Sequence, residues 1–177
     1  MIKYSFDRVF ALLALILTIP FFIFIPVIIK TRSKGPVFFR QERVGKNGSL
    51  FTVYKFRTMV TNIGQNSVTA RSDPRITREG AWLRKWKLDE LPELFNVLIG
   101  DMSFVGPRPD VPGYADALTG DDRLLLTVRP GLTGAASIKY SNEEELLSEQ
   151  EDPIKFNDEV LYPEKVRINN NYVKKYH

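Results

Sequence analysis

The sequence feature that most constrains the fold is a long apolar segment near the N-terminus. No charged side chain occurs from Val9 to Ile29. As an α-helix that rises about 1.5 Å per residue, this segment is long enough to cross a hydrocarbon core of about 30 Å. Few small soluble domains can bury so apolar a helix on all sides, so the composition favours contact with a membrane.

Two prolines and the flanking charges argue against a simple crossing. Pro20 and Pro26 each remove a backbone donor, which bends or breaks a helix. Both flanks are basic, so the positive-inside tendency gives no orientation for a single span. The flanking basic residues are Lys3, Arg8, Lys30, Arg32 and Lys34. We therefore predict a re-entrant helix-break-helix hairpin over residues 1–34, in which Thr18 bonds a carbonyl that a proline frees.

Three other interpretations of this segment stay open. It can be an ordinary transmembrane helix. A signal peptide fits less well, because the apolar run is long and no small-x-small cleavage site follows it. A fully buried core helix is a weaker alternative, because few small soluble domains can bury so apolar a segment on all sides.

Charge is distributed unevenly along the chain. The 177 residues carry 25 basic and 21 acidic side chains, for a net charge of +4. Residues 1–110 hold 17 of the basic and 9 of the acidic side chains. A basic portion beside an apolar segment favours anionic lipid headgroups or phosphorylated ligands. Nucleic acid is disfavoured as a partner, because no RNA- or DNA-binding signature accompanies the charge.

The chain contains no cysteine, and its one histidine is the terminal His177. Disulfides, thiolate catalysis and cysteine-ligated metals are therefore excluded, and histidine chemistry is disfavoured. Nucleophilic or acid–base chemistry must come from carboxyl, hydroxyl or amino groups. A metal would be a hard cation held by carboxylate and phosphate oxygens, such as Mg²⁺.

Residues 37–59 predict a β-hairpin. The strands are expected at Val37–Gln41 and Leu50–Met59, and a glycine-bearing link at 45–48 joins them. Lys55 and Arg57 would share one strand face, because side chains alternate with a period of two. Such a pair could bind a phosphate. An ordinary solvent-exposed strand face would explain the two basic residues equally well.

A polar segment and a short helix follow the hairpin. Residues 61–71 are predicted to form a mobile loop. Thr77 is predicted to cap a helix that runs to about Lys87. Trp82 and Trp86 alternate there with basic side chains, which suits either a membrane interface or ordinary packing on the core.

The stretch from Leu88 to Glu93 predicts a helix start that carries an acidic pair, Asp89 and Glu90. Acidic residues in a first turn suit the helix dipole, and this alone can explain Asp89. A helix N-terminus also binds phosphate, and neighbouring cations keep a carboxylate ionised. Cations precede the pair, and a rigid Pro-Arg-Pro turn follows it at 107–109.

The C-terminal third is predicted to be mainly helical. A short helix is expected at Asp121–Val128, and an acidic run at 143–152 suits a solvated helix face. The segment 129–134 reads as a glycine loop, either a tight turn or a close backbone approach to a ligand. A break at Tyr162-Pro163 would precede a final helix at Glu164–Tyr176.

Four stretches together resemble the bacterial sugar transferases known as monotopic phosphoglycosyl transferases. They are KFRTM at 55–59, DPRITREG at 73–80, LDELPELFNVLIGDMSFVGPRP at 88–109 and RPGLTG at 129–134. The resemblance covers nearly the whole chain, and LDELP followed by GDMS and VGPRP is its most specific part. It implies a mainly helical α/β fold, with a re-entrant anchor at 1–34 and a catalytic domain at 35–177 built from interfacial amphipathic helices and a small β-hairpin. It also implies a monotopic protein on the cytoplasmic face of the bacterial inner membrane.

The resemblance implies an enzyme that moves a sugar-1-phosphate from a UDP-sugar to polyprenyl phosphate, usually undecaprenyl phosphate, and releases UMP. This is the first membrane step of glycoconjugate assembly. In that scheme Asp89 is the nucleophile that forms a covalent phosphosugar-enzyme, and it is also a Mg²⁺ ligand. Glu90 positions the metal or assists proton transfer, and Arg108 matches the family's phosphate-contacting arginine. Further phosphate or nucleotide candidates are Lys55, Arg57, Arg84 and Arg129. Membrane lipids are expected partners, and a homodimer is left open.

One departure and several rivals qualify this scheme. Ile19 precedes Pro20 where many relatives carry serine, which affects only how the bend is stabilised. A non-catalytic membrane module that binds nucleotide sugar or polyprenyl phosphate would not need Asp89. An aspartate-dependent phosphatase would transfer to water instead. A Rossmann-type glycosyltransferase is disfavoured, because neither a GxxxxGK[ST] loop nor a GxGxxG motif after a strand is present.

Overall fold

The computed structural model describes residues 2–60 and 73–176, and the predicted mobile loop at 61–71 lies outside the described residues. The mainly helical α/β class is confirmed. The α-helices are α1 (Ile2–Arg32), α2 (Arg78–Lys85), α3 (Glu93–Ile99), α4 (Ala135–Lys139), α5 (Glu143–Ser148), α6 (Pro153–Phe156) and α7 (Tyr162–Tyr176). The strands are β1 (Phe38–Val44), β2 (Leu50–Phe56), β3 (Ser103–Val105) and β4 (Gly131–Thr133).

The predicted break in the N-terminal segment is wrong. Helix α1 runs from Ile2 to Arg32 without interruption and contains both prolines. Each proline removes one backbone hydrogen bond, whereas a complete break would leave several polar groups without partners in an apolar environment. Thr18 donates to the carbonyls of Ala14 and Leu15, at 2.7 and 3.3 Å. Pro20 releases the carbonyl of Ile16, so Thr18 does not have the predicted role.

The described residues form two compact units. The first contains residues 2–42, 52–60 and 74–102, and the second contains 43–51, 73 and 103–176. Helix α1 belongs to the first unit and contacts α2 and α3 there. The functional boundary between an anchor and a catalytic domain at residues 34 and 35 stays a prediction.

Helix α1 has one buried stripe along its whole length. Its buried residues are Asp7, Ala11, Leu15, Ile25 and Ile29, and their spacing places them on one face. The opposite face is apolar and exposed, as Leu17 at 78% and Phe24 at 65% illustrate. By length and composition, α1 is the one described helix that could cross a membrane.

The core of the first unit joins the second half of α1 to β2 and α2. Ile25, Ile29, Phe56 and Leu83 form one cluster, and each is almost fully buried. The rings of Phe22 and Phe56 pack against one another, with centroids 5.4 Å apart. Part of the apolar N-terminal segment is therefore core for the unit that carries the LDELP motif.

The predicted hairpin is confirmed, with shifted ends. Strands β1 and β2 form a two-stranded sheet, and a 3₁₀ turn at Lys46–Gly48 lies between them. Asn47 has a positive φ of 58° in this turn, as a link of glycine and asparagine residues allows. Strand β2 ends at Phe56, three residues before the predicted end.

The predicted cap of α2 is also confirmed. The Thr77 hydroxyl accepts a hydrogen bond from the Gly80 backbone N–H at 2.9 Å. Gly80 lies against Thr58 so closely that an added Cβ would overlap with the Thr58 carbonyl. Leu83 is buried, whereas Trp82 and Trp86 are 50% and 62% exposed. Helix α2 therefore packs on the core with one side, and both indoles, Trp82 on the helix and Trp86 directly after it, face outward.

In the second unit, the predicted glycine loop contains a strand. Strand β4 pairs in parallel with β3, in the register Ser103 with Gly131 and Val105 with Thr133. An added Cβ at Gly131 would overlap with the backbone of Gly106. The glycine is thus required by a close approach of two backbone segments, which was neither of the two predicted explanations.

The predicted break at Tyr162-Pro163 is wrong as well. Helical conformation continues from α6 through a π turn at Asn157–Leu161 into α7. Pro163 lies in the first turn of α7, where a wide turn precedes it and its missing N–H costs little. The predicted helix at 121–128 is a 3₁₀ segment, Gly120–Thr127. Its apolar side belongs to the core of the second unit, formed by Val44, Ala115, Leu125, Leu126 and Val166.

Candidate active site

The acidic pair lies on a separate 3₁₀ turn, Leu88–Glu90, between α2 and α3. Lys87 precedes the turn in the left-handed region, with a φ of 54°. This conformation costs a non-glycine residue about 1 kcal/mol and redirects the chain directly after α2. Asp89 consequently points inward and is 8% exposed. The predicted helix start is therefore two elements, because α3 begins only at Glu93.

A lysine connects the acidic turn to the neighbouring strand and helix. Lys55 Nζ lies 2.9 Å from Glu90 Oε1 and 3.1 Å from Glu93 Oε1. Strand β2 supplies the lysine, the 3₁₀ turn supplies Glu90 and the first turn of α3 supplies Glu93. We call these three side chains the Lys55 bridge.

Sequence reasoning missed Glu93, which is only 2% exposed. The spacing could have indicated a pair of acidic side chains, because Glu90 and Glu93 are three residues apart in a helical stretch and such residues lie on one side. Their partner could not be identified from spacing, since Lys55 lies on a different element.

Asn96 attaches α3 to β2 beside the Lys55 bridge. Its side chain is fully buried. Asn96 Oδ1 accepts a hydrogen bond from the Tyr54 N–H at 3.3 Å, and Nδ2 donates to the Thr52 carbonyl at 2.7 Å. The amide thus replaces a neighbouring strand on one side of β2, and it fixes the helix that carries Glu93. The sequence could have indicated this role, because Asn96 is a polar residue inside the apolar run of α3.

The surroundings of Asp89 act on its carboxyl group in opposite directions. Burial is the largest influence and raises the pKa of Asp89, and the negative charge of Glu90 raises it further. The cations Lys55, Arg84 and Lys87 lower the pKa. Asp89 Oδ1 is buried and has no hydrogen-bond partner among the residues that the structure describes. An unsatisfied buried oxygen costs about 1–3 kcal/mol, and a bound cation or an electrophile can relieve that cost.

Lys55 lies on β2, whereas Arg57 directly follows the end of this strand at Phe56, and its backbone N–H donates to the Val37 carbonyl at 2.9 Å. Arg57 is 5% exposed and donates to the Ser33 carbonyl at 3.0 Å, to Ser33 Oγ at 2.8 Å and to the Lys34 carbonyl. Its guanidinium therefore holds the chain that follows α1. Phosphate contact by Arg57 stays a prediction, and it would require these bonds to open.

The remaining predicted cations lie in different parts of the chain. Arg84 is half-buried on α2, in the first unit with Asp89. Arg108 is exposed and Arg129 is half-buried, and both belong to the second unit. Arg108 lines a small surface pocket together with Asp110 and apolar side chains of the second unit.

Asp110 directly follows the Pro-Arg-Pro turn, and the pKa of its carboxyl group is raised. Burial raises the pKa of its carboxyl to about 6, and the charges of Lys165 and Arg43 oppose this rise. The Tyr162 hydroxyl lies near the carboxyl without meeting the geometry of a full hydrogen bond. Asp110 was not among the predicted site residues, although it directly follows the motif at 88–109.

Comparison with known proteins agrees with the motifs. The family model described as Bacterial sugar transferase matches residues 1–177. The exopolysaccharide production protein PSS of Rhizobium leguminosarum bv. phaseoli is 43% identical over 147 residues, which cover 78% of this chain and 74% of that protein.

Two further relatives are much longer than the matched region. The undecaprenyl-phosphate glucose phosphotransferase of Komagataeibacter xylinus is 41% identical over 154 residues, which cover 80% of this chain and 28% of that protein. The undecaprenyl-phosphate galactose phosphotransferase of Salmonella typhimurium is 40% identical over 159 residues, which cover 80% of this chain and 33% of that protein. The chain therefore spans a third or less of the length of these two relatives.

Proposed function

The chain belongs to the bacterial sugar transferase family, and on this premise we propose that it transfers a sugar-1-phosphate from a UDP-sugar to undecaprenyl phosphate. The names of two relatives specify sugar phosphotransfer to undecaprenyl phosphate. The observation that carries the proposal is the buried Asp89 carboxyl, with an unpartnered oxygen and with Glu90 beside it.

The proposed reaction has two displacements at one phosphorus atom. In the first, a carboxylate oxygen of Asp89 attacks the sugar-linked phosphorus of the UDP-sugar. A bond forms between that oxygen and phosphorus, the bond to the bridging oxygen breaks, and UMP leaves with the bridging oxygen. In the second, a phosphate oxygen of undecaprenyl phosphate attacks the same phosphorus and releases Asp89. The covalent intermediate divides the transfer into two easier steps. The carboxylate serves as the nucleophile in a chain that contains no cysteine.

The electrostatics of Asp89 support a nucleophilic role. Burial raises the pKa of Asp89 and with it the basicity of the carboxylate, and the nearby cations Lys55, Arg84 and Lys87 favour the ionised form. Glu90 is proposed to orient the acceptor or assist proton transfer from it. Arg84, Arg108 and Arg129 are proposed to contact phosphate, because arginine offers several donors to phosphate oxygens.

A magnesium ion is part of the proposal. The described residues contain no group of three or more side chains suited to hold a metal. Mg²⁺ commonly uses one or two carboxylates and completes its shell with water and substrate phosphates, so the unpartnered oxygen of Asp89 fits such a site. When bound, the ion would neutralise charge on the phosphates during transfer.

The proposed location is the cytoplasmic face of the bacterial inner membrane. The exposed apolar face of α1 would insert among lipid tails, and Trp82 and Trp86 would lie at the headgroup level. Such an arrangement would deliver the acidic pair to a lipid phosphate. A re-entrant path for α1 is proposed on the same grounds, with the helix bent rather than broken.

Measuring UMP release tests the proposal. The protein is supplied in lipid vesicles with undecaprenyl phosphate, Mg²⁺ and a panel of UDP-sugars. Replacement of Asp89 by Asn should lower turnover by at least about 10³-fold, because it removes the nucleophile. The exposed Asp122, changed to Asn, is the matched control and should retain wild-type turnover. Undiminished turnover in the Asp89 variant would contradict the assignment, and UDP-sugar binding without turnover in the wild type would indicate the non-catalytic module.

A further inference from the structure

We infer that Lys55 and Glu93 are positioning residues that hold the Glu90 carboxylate in place for the reaction, a role that rests on the proposed function. This changes the part assigned to Lys55, which the sequence had suggested as a phosphate ligand. It also gives a role to Glu93, which no motif had singled out.

The first support is the geometry of the Lys55 bridge. One ammonium lies within 3.1 Å of a carboxylate oxygen on each of two elements, the 3₁₀ turn and α3. Lysine has three N–H donors, and the two glutamates take two of them. An ammonium engaged in this way has little left for a substrate phosphate, whereas it is well placed to restrain Glu90.

The second support is the difference in burial between the two glutamates. The Glu93 side chain is 3% exposed and the Glu90 side chain is 14% exposed. A buried charge that loses its partner costs several kcal/mol, so Glu93 strongly favours keeping the ammonium inside. The first turn of α3 also favours a negative charge at Glu93, because the helix dipole is positive there. Glu93 is therefore the inner anchor of the bridge, and Glu90 is the outer group that it holds.

The third support is that both ends of the bridge are attached to rigid structure. Asn96 bonds the backbone of Thr52 and Tyr54, so α3 cannot shift along β2 without breaking two hydrogen bonds. Lys55 directly follows Tyr54 on the strand. The separation between Lys55 and Glu93 is thus set by the same contacts that dock α3.

The test uses Lys55→Met, Glu93→Gln and the double variant in the vesicle assay, with UDP-sugar titrated at saturating acceptor. Misplacing a reacting group by about 1 Å costs up to about 10²-fold in rate. We therefore expect each single variant to lower kcat by about 10- to 100-fold, with KM for the UDP-sugar changed by less than about twofold. Because both changes disable one bridge, the double variant should be no slower than the slower single variant. Exposed matched controls are Lys155→Met and Glu159→Gln, which should behave as wild type.

Several outcomes would overturn the inference. A rise of tenfold or more in KM for Lys55→Met, with wild-type kinetics for Glu93→Gln, would make Lys55 a phosphate ligand. Multiplicative losses in the double variant would show two independent roles. A single variant that fails to unfold cooperatively is replaced in the test by the apolar double variant Lys55→Met/Glu93→Met. This variant leaves neither Lys55 nor Glu93 as an unpaired buried charge. A wild-type kcat in that protein would contradict the positioning role. Absence of UMP release by the wild type would instead contradict the proposed function itself.

Discussion

At the scale of single residues, burial and charge act in opposite directions on the carboxyl group of Asp89. Burial and the charge of Glu90 raise its pKa, and Lys55, Arg84 and Lys87 reduce the rise. A raised pKa makes a carboxylate more basic, and nearby cations favour its ionised form, so both influences suit a nucleophile. The bridge from Lys55 to Glu93 adds a further constraint, because it limits where the charge of Glu90 can lie.

Asp110 provides a pH-dependent prediction for stability. Its pKa in the folded protein is about 6 and exceeds the ordinary value of 3.8, so the folded state binds more protons between these values. The contribution of Asp110 to stability is therefore most favourable below about pH 4 and is lost as the pH rises through 6. Asp110→Asn should become more stable than wild type over this interval, by at most about 3 kcal/mol at pH 7.

Chemical unfolding of both proteins from pH 4 to pH 7.5 measures this difference. The exposed Asp122→Asn is the control and should parallel the wild type. A constant difference between Asp110→Asn and wild type across the range would contradict a raised pKa of Asp110 in the folded protein.

Lys87 provides a prediction about backbone strain. Its φ of 54° favours glycine and disfavours residues with a Cβ. Lys87→Gly should be more stable than Lys87→Ala by about 1 kcal/mol, because alanine keeps the strain. Both variants lose the cation, so the comparison isolates the backbone. Equal unfolding free energies in denaturant titrations would show that the turn after α2 is not left-handed.

At the scale of elements, one side of α1 packs on the protein and the other side is exposed. One stripe packs on the first unit, where Arg8 Nη2 donates to the Ile99 carbonyl at the end of α3 at 3.1 Å. Positive charge is favoured there, because the helix dipole is negative at a C-terminus. The other side of α1 is apolar and exposed. The helix therefore stabilises its unit and also offers a surface for lipid.

Two isoleucines on α1 test this division. Ile29 is 2% exposed and Ile23 is 58% exposed. Ile29→Ala should lower the free energy of unfolding by about 2–5 kcal/mol, because it leaves a cavity against Phe56 and Leu83. Ile23→Ala should cost less than about 1 kcal/mol in detergent. Similar losses for the two variants would contradict the two-sided role of α1.

Elements set by nearby residues could be predicted from the sequence. The cap at Thr77 acts over three residues, and the hairpin follows from strands joined by a short link, so short-range rules were sufficient. Asp89 and Glu90 were identified through their motif. Glu93 could not be identified in this way, because its burial depends on Lys55 and on the docking of α3 against β2. The break expected at Pro20 failed because one lost hydrogen bond does not end a helix of this length.

At the scale of the whole molecule, the proposed topology places both flanks of the apolar segment on the cytoplasmic side. The basic residues before and after the segment both favour that side. The proposed re-entrant path of α1 would meet this requirement, whereas a simple crossing would separate its two ends.

Cysteine labelling in intact cells tests the topology. The chain contains no cysteine, so Ser5→Cys carries a single thiol before the apolar segment, and Ser148→Cys is a matched control beyond it. Both thiols should resist a membrane-impermeant reagent in spheroplasts and react after permeabilisation. Reaction of Ser5→Cys from the periplasmic side alone would contradict the re-entrant path.

The covalent role of Asp89 is tested most directly by the intact mass of the protein after mixing with UDP-sugar and Mg²⁺ in the absence of acceptor. The proposed function predicts a mass increase of one phosphosugar, equimolar UMP release, and loss of the adduct when undecaprenyl phosphate is added. Asp89→Asn should give no adduct. An unmodified wild-type protein that releases free sugar phosphate would contradict the account and indicate transfer to water.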